Sequence, residues 1–341
     1  MKPRKEHTRA LIAIAFLTIV TIVIILLDLS WANWPLSISQ VIDVLMGGGS
    51  SVNRTIVMTI NLPRVVMGIF VGAGLAVSGA VMQAMFRNPM ASPYILGLSN
   101  GAALGAALGM VTTIPLIPVA IAVPALAFIV CFATVMLVYM LSRVGGNIQI
   151  ETLLLSGIAV SALLSALVSL LTFLSSQDQM EQIVFWTMGS LSKATWSNLM
   201  FVVPVISMGI ILMATLSKEL NAMMLGDAHA MDLGVDIRKV RIILLIFSTL
   251  VIAAAVSFVG VIGFVGLIIP HIVRLVVGPN NRILIPVSAF AGATYLVMCD
   301  YIAHSMYTIT GVLPIGIITA IVGGPYFIYL LRKRKREVGW N

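Results

Sequence analysis

The chain has 341 residues, of which 60% are hydrophobic and only 9% are charged. Soluble domains carry about 25% charged residues, so this composition excludes a soluble protein and indicates an integral membrane protein. Apolar runs of about 20 residues recur and alternating strands of about ten residues do not, so the spans are predicted to be helices. The formal charge of +8 is therefore interpreted through the positive-inside rule, without invoking nucleic acid.

Ten membrane-spanning helices are predicted after a basic amino-terminal tail. In chain order they cover 10–29, 62–86, 95–111, a fourth span that ends at Ser142, 153–174, 199–216, 240–258, 259–277, 283–303 and 313–331. The whole chain, 1–341, is predicted to be a single all-α transmembrane domain. The segment 217–241 is a long polar interruption between apolar segments that has an amphipathic pattern of its own.

The distribution of basic residues predicts the orientation. With both termini in the cytoplasm, ten spans place all but Arg54, Arg64 and Lys193 of the 20 basic residues on the inner side. This bias is what the positive-inside rule requires. The sequence therefore predicts a multi-pass protein of the cell membrane with a cytoplasmic 217–241 segment. The side opposite to the cytoplasm is called the outer side below.

Ionisable residues inside a membrane are functional candidates by default, and this chain has few of them. Glu151 and Asp300 lie near span ends, where we expect them to reach headgroups or water, and Asp28 lies at the outer end of the first span. The sequence shows no row of charged residues along a span, which argues against an ion-coupled transporter. No histidine pair has metal-ligand spacing, and no catalytic pair is visible, so neither a metal site nor an intramembrane enzyme is predicted.

The polar segment 217–241 contains a short predicted helix. Gly226 loosens the backbone before it, and Asp227 can cap its start. The pair Leu233-Gly234 is a typical helix stop. Two interpretations remain open from composition alone: a solvated surface helix, or a helix that sits in a groove of another protein.

Small residues recur at about every fourth position in two predicted spans. They are Gly68, Gly72, Ala76 and Gly79 in the second span and Gly101, Gly105 and Gly109 in the third. Such rows allow helices to approach closely in lipid. Ordinary helix packing is favoured over a pore-lining role.

Longer motifs follow one another in order over nearly all of the chain after Val52. They are NLPR (61–64), GAVMQ (79–83), NPMASP (88–93), LGLSNGA (96–102), FWTMGS (185–190), LGD (225–227) with LG (233–234), GFVGLIIPHIVR (263–274), LPIG (313–316) and GGPYF (323–327). Together they resemble the permease subunits of ABC importers for iron–siderophore, haem and cobalamin complexes.

The resemblance implies a type II ABC importer permease that forms a homodimer around a central pathway. Two ATP-binding cassette subunits would drive it from the cytoplasm, and an extracytoplasmic binding protein would deliver the substrate. ATP and Mg²⁺ would be bound by the ATPase, since this chain has no GxxxxGK[ST] motif and is not expected to be an enzyme or to bind a cofactor. The first expectation for the substrate is a ferric siderophore, followed by haem or cobalamin. The alternative is a secondary transporter that needs no ATPase.

The resemblance also implies roles for particular residues. The ATPase-coupling helix would comprise Gly226, Asp227, Ala228, Ala230, Met231, Leu233 and Gly234. A cytoplasmic gate facing its copy across the dimer axis would comprise Asn147, Gln149, Glu151 and Thr152. The remaining motif positions, expected along the pathway, are Gln83, Asn88, Pro89, Gly97, Asn100, Gly101, Pro270, His271, Arg274, Pro314 and Gly316.

Docking of the binding protein is expected to differ in detail from that of the family. The family commonly has arginine where this chain has Asn61 and again where it has His304. Arg64 matches the family's Leu-Pro-Arg position, and we expect it to grip a carboxylate of the binding protein at the outer face. Arg54 and protonated His304 are expected to add further contacts.

Overall fold

The computed structural model describes residues 2–30, 36–112, 115–144, 147–148, 150–306 and 311–338, and these are almost entirely helical. The helices of the first half are α1 (Lys2–Ser30), α2 (Ile38–Leu45), α3 (Ser51–Arg54), α4 (Leu62–Met85), α5 (Leu98–Val111), α6 (Val119–Leu141) and α7 (Ile150–Leu174). A π-helical stretch, Thr55–Asn61, joins α3 to α4, and a 3₁₀ turn, Pro93–Leu96, precedes α5.

The second half continues the helical pattern. Its helices are α8 (Gln177–Thr187), α9 (Trp196–Thr215), α10 (Ser217–Met224), α11 (Asp227–Asp232), α12 (Ile237–Val259), α13 (Val265–Val277), α14 (Asn281–Ser305) and α15 (Ile315–Val338). Two short antiparallel strands, β1 (Arg143–Val144) and β2 (Asn147–Ile148), lie between α6 and α7. Residues 145–146, between the two strands in sequence, lie outside the described residues.

Among the described residues, eight helices are long and apolar enough to cross a membrane. They are Glu6–Ser30, Ser51–Met85, Val119–Leu141, Glu151–Leu174, Trp196–Thr215, Ile237–Val259, Asn281–Ser305 and Ile315–Arg332. The other two predicted spans contain shorter apolar helices, α5 and α13.

The backbone explains why α5 and α13 are shorter than predicted. Gly97 has a φ of 83° and separates the 3₁₀ turn from α5. Gly260 (φ 74°) and Phe264 (φ 67°) likewise delay the start of α13, although that span was predicted to begin at Val259. A left-handed residue cannot continue an α-helix, so only the later part of each predicted span is α-helical.

The centre of the fold is α4. In the most apolar part of Ser51–Met85, 83% of the residues are buried, against 11% in Glu6–Ser30. Helices α9, α12, α13 and α14 all pack against α4. Peripheral helices instead expose large apolar side chains, such as Phe16, Leu163 and Phe173, as lipid-facing surfaces do.

Glycines permit the closest helix contacts. A Cβ atom built on Gly72 would overlap the carbonyl of Gly292 in α14, and one on Gly79 would overlap the carbonyl of Gly266 in α13. Gly105 lies equally close to the backbone of α6 at Leu126. The prediction that the small-residue rows serve helix packing is confirmed.

Candidate functional site

The segment predicted to couple to a partner folds as two short helices, α10 and α11, between α9 and α12. Gly226 has a φ of 116° at the bend between them. Helix α11 ends as predicted, because Gly234 is left-handed (φ 81°) and the N–H of Val235 donates to the carbonyl of Ala230 at 3.0 Å. The segment is therefore a defined turn of helix.

The exposed surface of α11 differs in part from the prediction. Met231 and Leu233 are 60% and 66% exposed, and Ala228 and Leu225 are exposed as well. Ala230 is 0% exposed and packs into the hydrophobic core. The prediction that Ala230 presents surface to a partner is wrong, because so short a helix must turn one side toward its own chain. Leu225, which was outside the predicted set, belongs to the exposed group.

Asp227 was predicted to cap α11, and it is instead the first residue of the helix, after Gly226. Its Oδ1 atom lies 3.4 Å from Nη2 of Arg87, in the turn after α4. Its Oδ2 atom accepts a hydrogen bond of 3.2 Å from Nη2 of Arg241, in α12. Sequence reasoning missed this three-residue cluster, although all three positions were predicted to lie on the cytoplasmic side.

A separate acidic residue caps α12. The side chain of Asp236 accepts a 3.1 Å hydrogen bond from the N–H of Lys239 and lies 3.0 Å from the Lys239 ammonium group. The backbone hydrogen bond and then the side-chain bond hold the pKa of Asp236 below its usual value. Asp236 therefore caps the helix that follows it, α12. Asp227, by contrast, forms ion pairs with residues outside α11.

A second ionic cluster is buried where the predicted outer ends of α1, α4 and α14 meet. Nη2 of Arg64 donates to Oδ1 of Asp28 at 2.8 Å, and its Nε atom lies 2.9 Å from Oδ2 of Asp300. His304 approaches through Nδ1, which lies 3.5 Å from Oδ1 of Asp300. All four side chains are buried. We name this group the outer ionic cluster.

The outer ionic cluster corrects three expectations. Arg64 does not present its guanidinium at the surface, since the residue is only 5% exposed and contacts two carboxylates of its own chain. His304 is buried rather than offered to a partner, and Asp300 contacts Arg64 rather than headgroups or water. The carboxylates and His304 come close enough to approach a metal ion, but Arg64 already supplies their positive partner, so we assign no metal here.

Arg54 is exposed, as expected, and its Nη2 atom donates to the carbonyl of Gly47 at 2.9 Å. Its role in docking stays a prediction.

An open cavity of about 530 Å³ lies between α8, the end of α12 and the start of α15. Its lining includes Asp178, Glu181, Trp186, Lys193, Phe258 and Pro314. Within the described part of the chain, no ion pair joins Lys193 to either carboxylate. We name this the outer cavity, because the predicted topology places all of these residues on the outer side. The motifs FWTMGS (185–190) and LPIG (313–316) and Lys193 had been singled out from the sequence, whereas Asp178, Glu181 and Phe258 had not.

The motif residues of the first half form interhelical contacts. Nε2 of Gln83, buried in α4, donates to the carbonyl of Leu267 in α13 at 2.9 Å. Nδ2 of Asn100 donates to the carbonyl of Ser161 in α7 at 3.0 Å. Gly101 packs against Thr134. These residues hold α4, α5, α6, α7 and α13 together.

Asn88 and Pro89 form the turn after α4, where Oδ1 of Asn88 accepts from the N–H of Met90 at 3.0 Å. The left-handed Gly97 then leads into α5. Both motifs therefore define the bends between spans, and their expected place along the pathway stays a prediction.

The motif residues of the second half also make local contacts. Pro270 is buried within α13, and the ring of His271 lies edge-on to Tyr326 of α15 with centroids 6.4 Å apart. Nη1 of Arg274 lies 3.8 Å from the sulfur of Met224 in α10. The N–H of Gly316 donates to the carbonyl of Met188 at 3.1 Å, next to the outer cavity lined by Pro314.

The predicted cytoplasmic gate is only partly described. Asn147 lies in β2, and Glu151 and Thr152 lie in the first turn of α7, where Glu151 is exposed. Gln149 lies outside the described residues. The role of this segment as a gate stays a prediction.

Long apolar helices that expose large apolar side chains, joined by short polar connections, define a multi-pass membrane protein. The chain belongs to the FecCD transport family, whose sequence profile matches residues 20–333.

Characterised relatives support this assignment. The cobalamin import system permease protein BtuC of Halobacterium salinarum is 43% identical over 302 residues, which cover 89% of this chain and 80% of the relative. The hemin transport system permease protein HmuU of Yersinia pestis is 41% identical over 286 residues, which cover 83% and 85%. A solved metal-chelate type ABC transporter in an inward-facing conformation matches with a TM-score of 0.83 at 32% identity, over 94% of this chain and 98% of that one. The predicted family and all-α fold are confirmed.

Proposed function

We propose that this chain is the membrane subunit of an ATP-driven ABC importer that carries a metal chelate into the cell. The proposal rests above all on α11, a short helix at whose end Met231 and Leu233 are exposed to solvent on the predicted cytoplasmic side. Exposed apolar residues on a polar connecting segment are typical of a docking surface, and methionine adapts to a groove that changes shape.

The proposed assembly contains two copies of this chain, two ATP-binding cassette subunits and an extracytoplasmic binding protein. ATP and Mg²⁺ would be bound and ATP hydrolysed by the cassette subunits, so this chain is not itself an enzyme. The proposed substrate is a ferric siderophore, haem or cobalamin. The relatives named for cobalamin, hemin and ferric citrate support the class of metal chelates.

The outer cavity is the proposed entry point for the chelate. It combines aromatic walls at Trp186 and Phe258 with carboxylates at Asp178 and Glu181, so it offers both apolar contact and polar orientation.

The test is reconstitution of the permease in proteoliposomes with its cognate ATPase and binding protein. Chelate uptake should require ATP and all three components. Met231→Glu should abolish copurification of the ATPase, because a charge would replace an apolar contact. The matched control is Met46→Glu, since Met46 is an 83% exposed methionine on the predicted outer side. Uptake without the ATPase would favour the secondary transporter, and retained copurification with Met231→Glu would exclude α11 as the main dock.

A further inference from the structure

We propose that Asp227 is the positioning residue that links movement of α11 to the membrane helices α4 and α12. This inference rests on the proposed docking of the ATPase on α11. It concerns what happens after docking, namely how a displacement at the cytoplasmic surface reaches the transport pathway.

The geometry gives Asp227 two partners on two different helices. One carboxylate oxygen faces Arg87 at 3.4 Å and the other faces Arg241 at 3.2 Å. Because each oxygen has its own guanidinium, a shift or rotation of α11 acts on both arginines together. The six-residue length of α11 makes it a compact unit, so the displacement is not absorbed by bending.

Arg87 joins Asp227 to α4 through a constrained turn. Its backbone is left-handed (φ 50°), which is uncommon for a residue other than glycine. Its N–H donates to the carbonyl of Ala84 at 3.1 Å, and the next N–H, of Asn88, donates to the carbonyl of Gln83 at 3.1 Å. Since the Gln83 side chain binds the backbone of α13, a displacement of Arg87 acts on α4 and α13 together.

Arg241 joins Asp227 to α12 from a buried position. The residue is 7% exposed, and Asp227 is its only ionic partner among the described residues. Its Nε atom is buried and has no hydrogen-bond partner in the same part of the chain. A buried guanidinium depends strongly on its one carboxylate, so the contact with Asp227 resists separation.

The far ends of both helices lie at the two sites of the outer side. Helix α12 has 23 residues, or about 35 Å at 1.5 Å per residue, and ends at Phe258 and Val259, which line the outer cavity. Helix α4 carries Arg64 of the outer ionic cluster near its other end. The carboxylate of Asp227 thus forms ion pairs with arginines at the cytoplasmic ends of both helices.

The other charged groups nearby are differently engaged. His229 and Asp232 belong to α11, Asp236 binds Lys239, and Arg238 is exposed. Asp232 and Arg238 make no ion pair among the described residues, so they provide matched controls for the acidic and the basic member of the cluster.

The experiment compares Asp227→Asn with Asp232→Asn in proteoliposomes that contain the ATPase and the binding protein. Asp227→Asn keeps the size of the side chain and removes the charge. We expect it to copurify with the ATPase and to hydrolyse ATP, while chelate transported per ATP hydrolysed falls at least tenfold. Asp227→Glu should recover most of this ratio, and Asp232→Asn should leave it unchanged.

A second pair of variants keeps the test decisive if Asp227→Asn folds poorly. Arg87→Met removes only the connection to α4 and should lower the transport per ATP, whereas Arg238→Met should not. An unchanged ratio in Arg87→Met and Asp227→Asn, or loss of ATPase copurification in both, would overturn the positioning role. Failure of the proposed function is distinguishable, because the unmodified permease would then show no ATP-dependent uptake.

Discussion

In the outer ionic cluster, each buried charged side chain is stabilised by its oppositely charged partners. Among the residues that the structure describes, Arg64 is the only guanidinium between Asp28 and Asp300, and all three side chains are buried. Replacing a buried ion pair as a whole with apolar groups is often nearly neutral, whereas removing one partner leaves a buried charge without compensation. The cluster is therefore sensitive to single substitutions out of proportion to its size.

The first residue-scale prediction concerns Arg64→Met. It should lower the free energy of unfolding by about 3–5 kcal/mol, because two carboxylates would share a buried site without their cation. Arg54→Met, at an exposed arginine, should change it by no more than about 0.5 kcal/mol. Thermal and denaturant-induced unfolding of the purified variants in detergent measures the change in free energy for both substitutions. Equal effects of the two substitutions would contradict the assignment of Arg64 to a buried cluster.

The sequence could place these charges at the same depth but could not show that they meet. The predicted topology puts Asp28, Arg64 and Asp300 at outer span ends. Contact also depends on how each helix is rotated about its axis. A helix that is apolar on every side carries no sequence mark of its inward face, so Arg64 was assigned to the surface.

At the scale of elements, glycine contacts determine how closely α4 can approach its neighbours. A Cβ on Gly72 would overlap Gly292 and lie 2.8 Å from the Cβ of Leu296, whereas one on Gly324 in α15 meets nothing within 4 Å. Both glycines are helical, but only Gly72 lies against a neighbouring helix. The same substitution is therefore expected to have opposite effects at the two positions.

The second prediction therefore compares two alanine variants. Gly72→Ala should destabilise the permease by about 1–3 kcal/mol, because α4 and α14 must separate. Gly324→Ala should be neutral or stabilising by up to about 1 kcal/mol, since alanine favours helix more than glycine does. Thermal unfolding of the two purified variants is the measurement. Similar destabilisation by both would show that helix contact at Gly72 is not the cause.

The coupling segment illustrates what local sequence predicts about an element. Gly226 and Gly234 predicted the start and stop of α11, because positive φ angles are local properties of the chain. The burial of Ala230 and the pairing of Asp227 with Arg87 depend on α4 and α12, which are distant in sequence. Those two features required the three-dimensional structure.

At the scale of the whole molecule, the distribution of basic residues and the observed ion pairs agree on which helix ends lie on the same side of the membrane. Arg87, Asp227 and Arg241 were all predicted to be cytoplasmic, and they contact one another. Asp28, Arg64 and Asp300 were all predicted to lie at the outer side, and they also meet. The eight long apolar helices of the described residues were thus readable from composition, while the lengths of α5 and α13 were not.

The third prediction tests this orientation by labelling single introduced cysteines with a membrane-impermeant maleimide. Met46→Cys should react in intact cells, and Leu233→Cys only after permeabilisation, because both positions are exposed on opposite predicted sides. The native Cys131 and Cys299 are buried and provide the low background. Labelling of Leu233→Cys in intact cells would reverse the topology and with it the proposed docking side.

The outer ionic cluster also has a consequence for the order in which the protein is made. Arg64 follows Asp28 by 36 positions, but Asp300 and His304 belong to α14, near the end of the chain. Because synthesis proceeds from the amino terminus, Arg64 enters the bilayer long before its second carboxylate exists. The cluster can close only after α14 has been inserted.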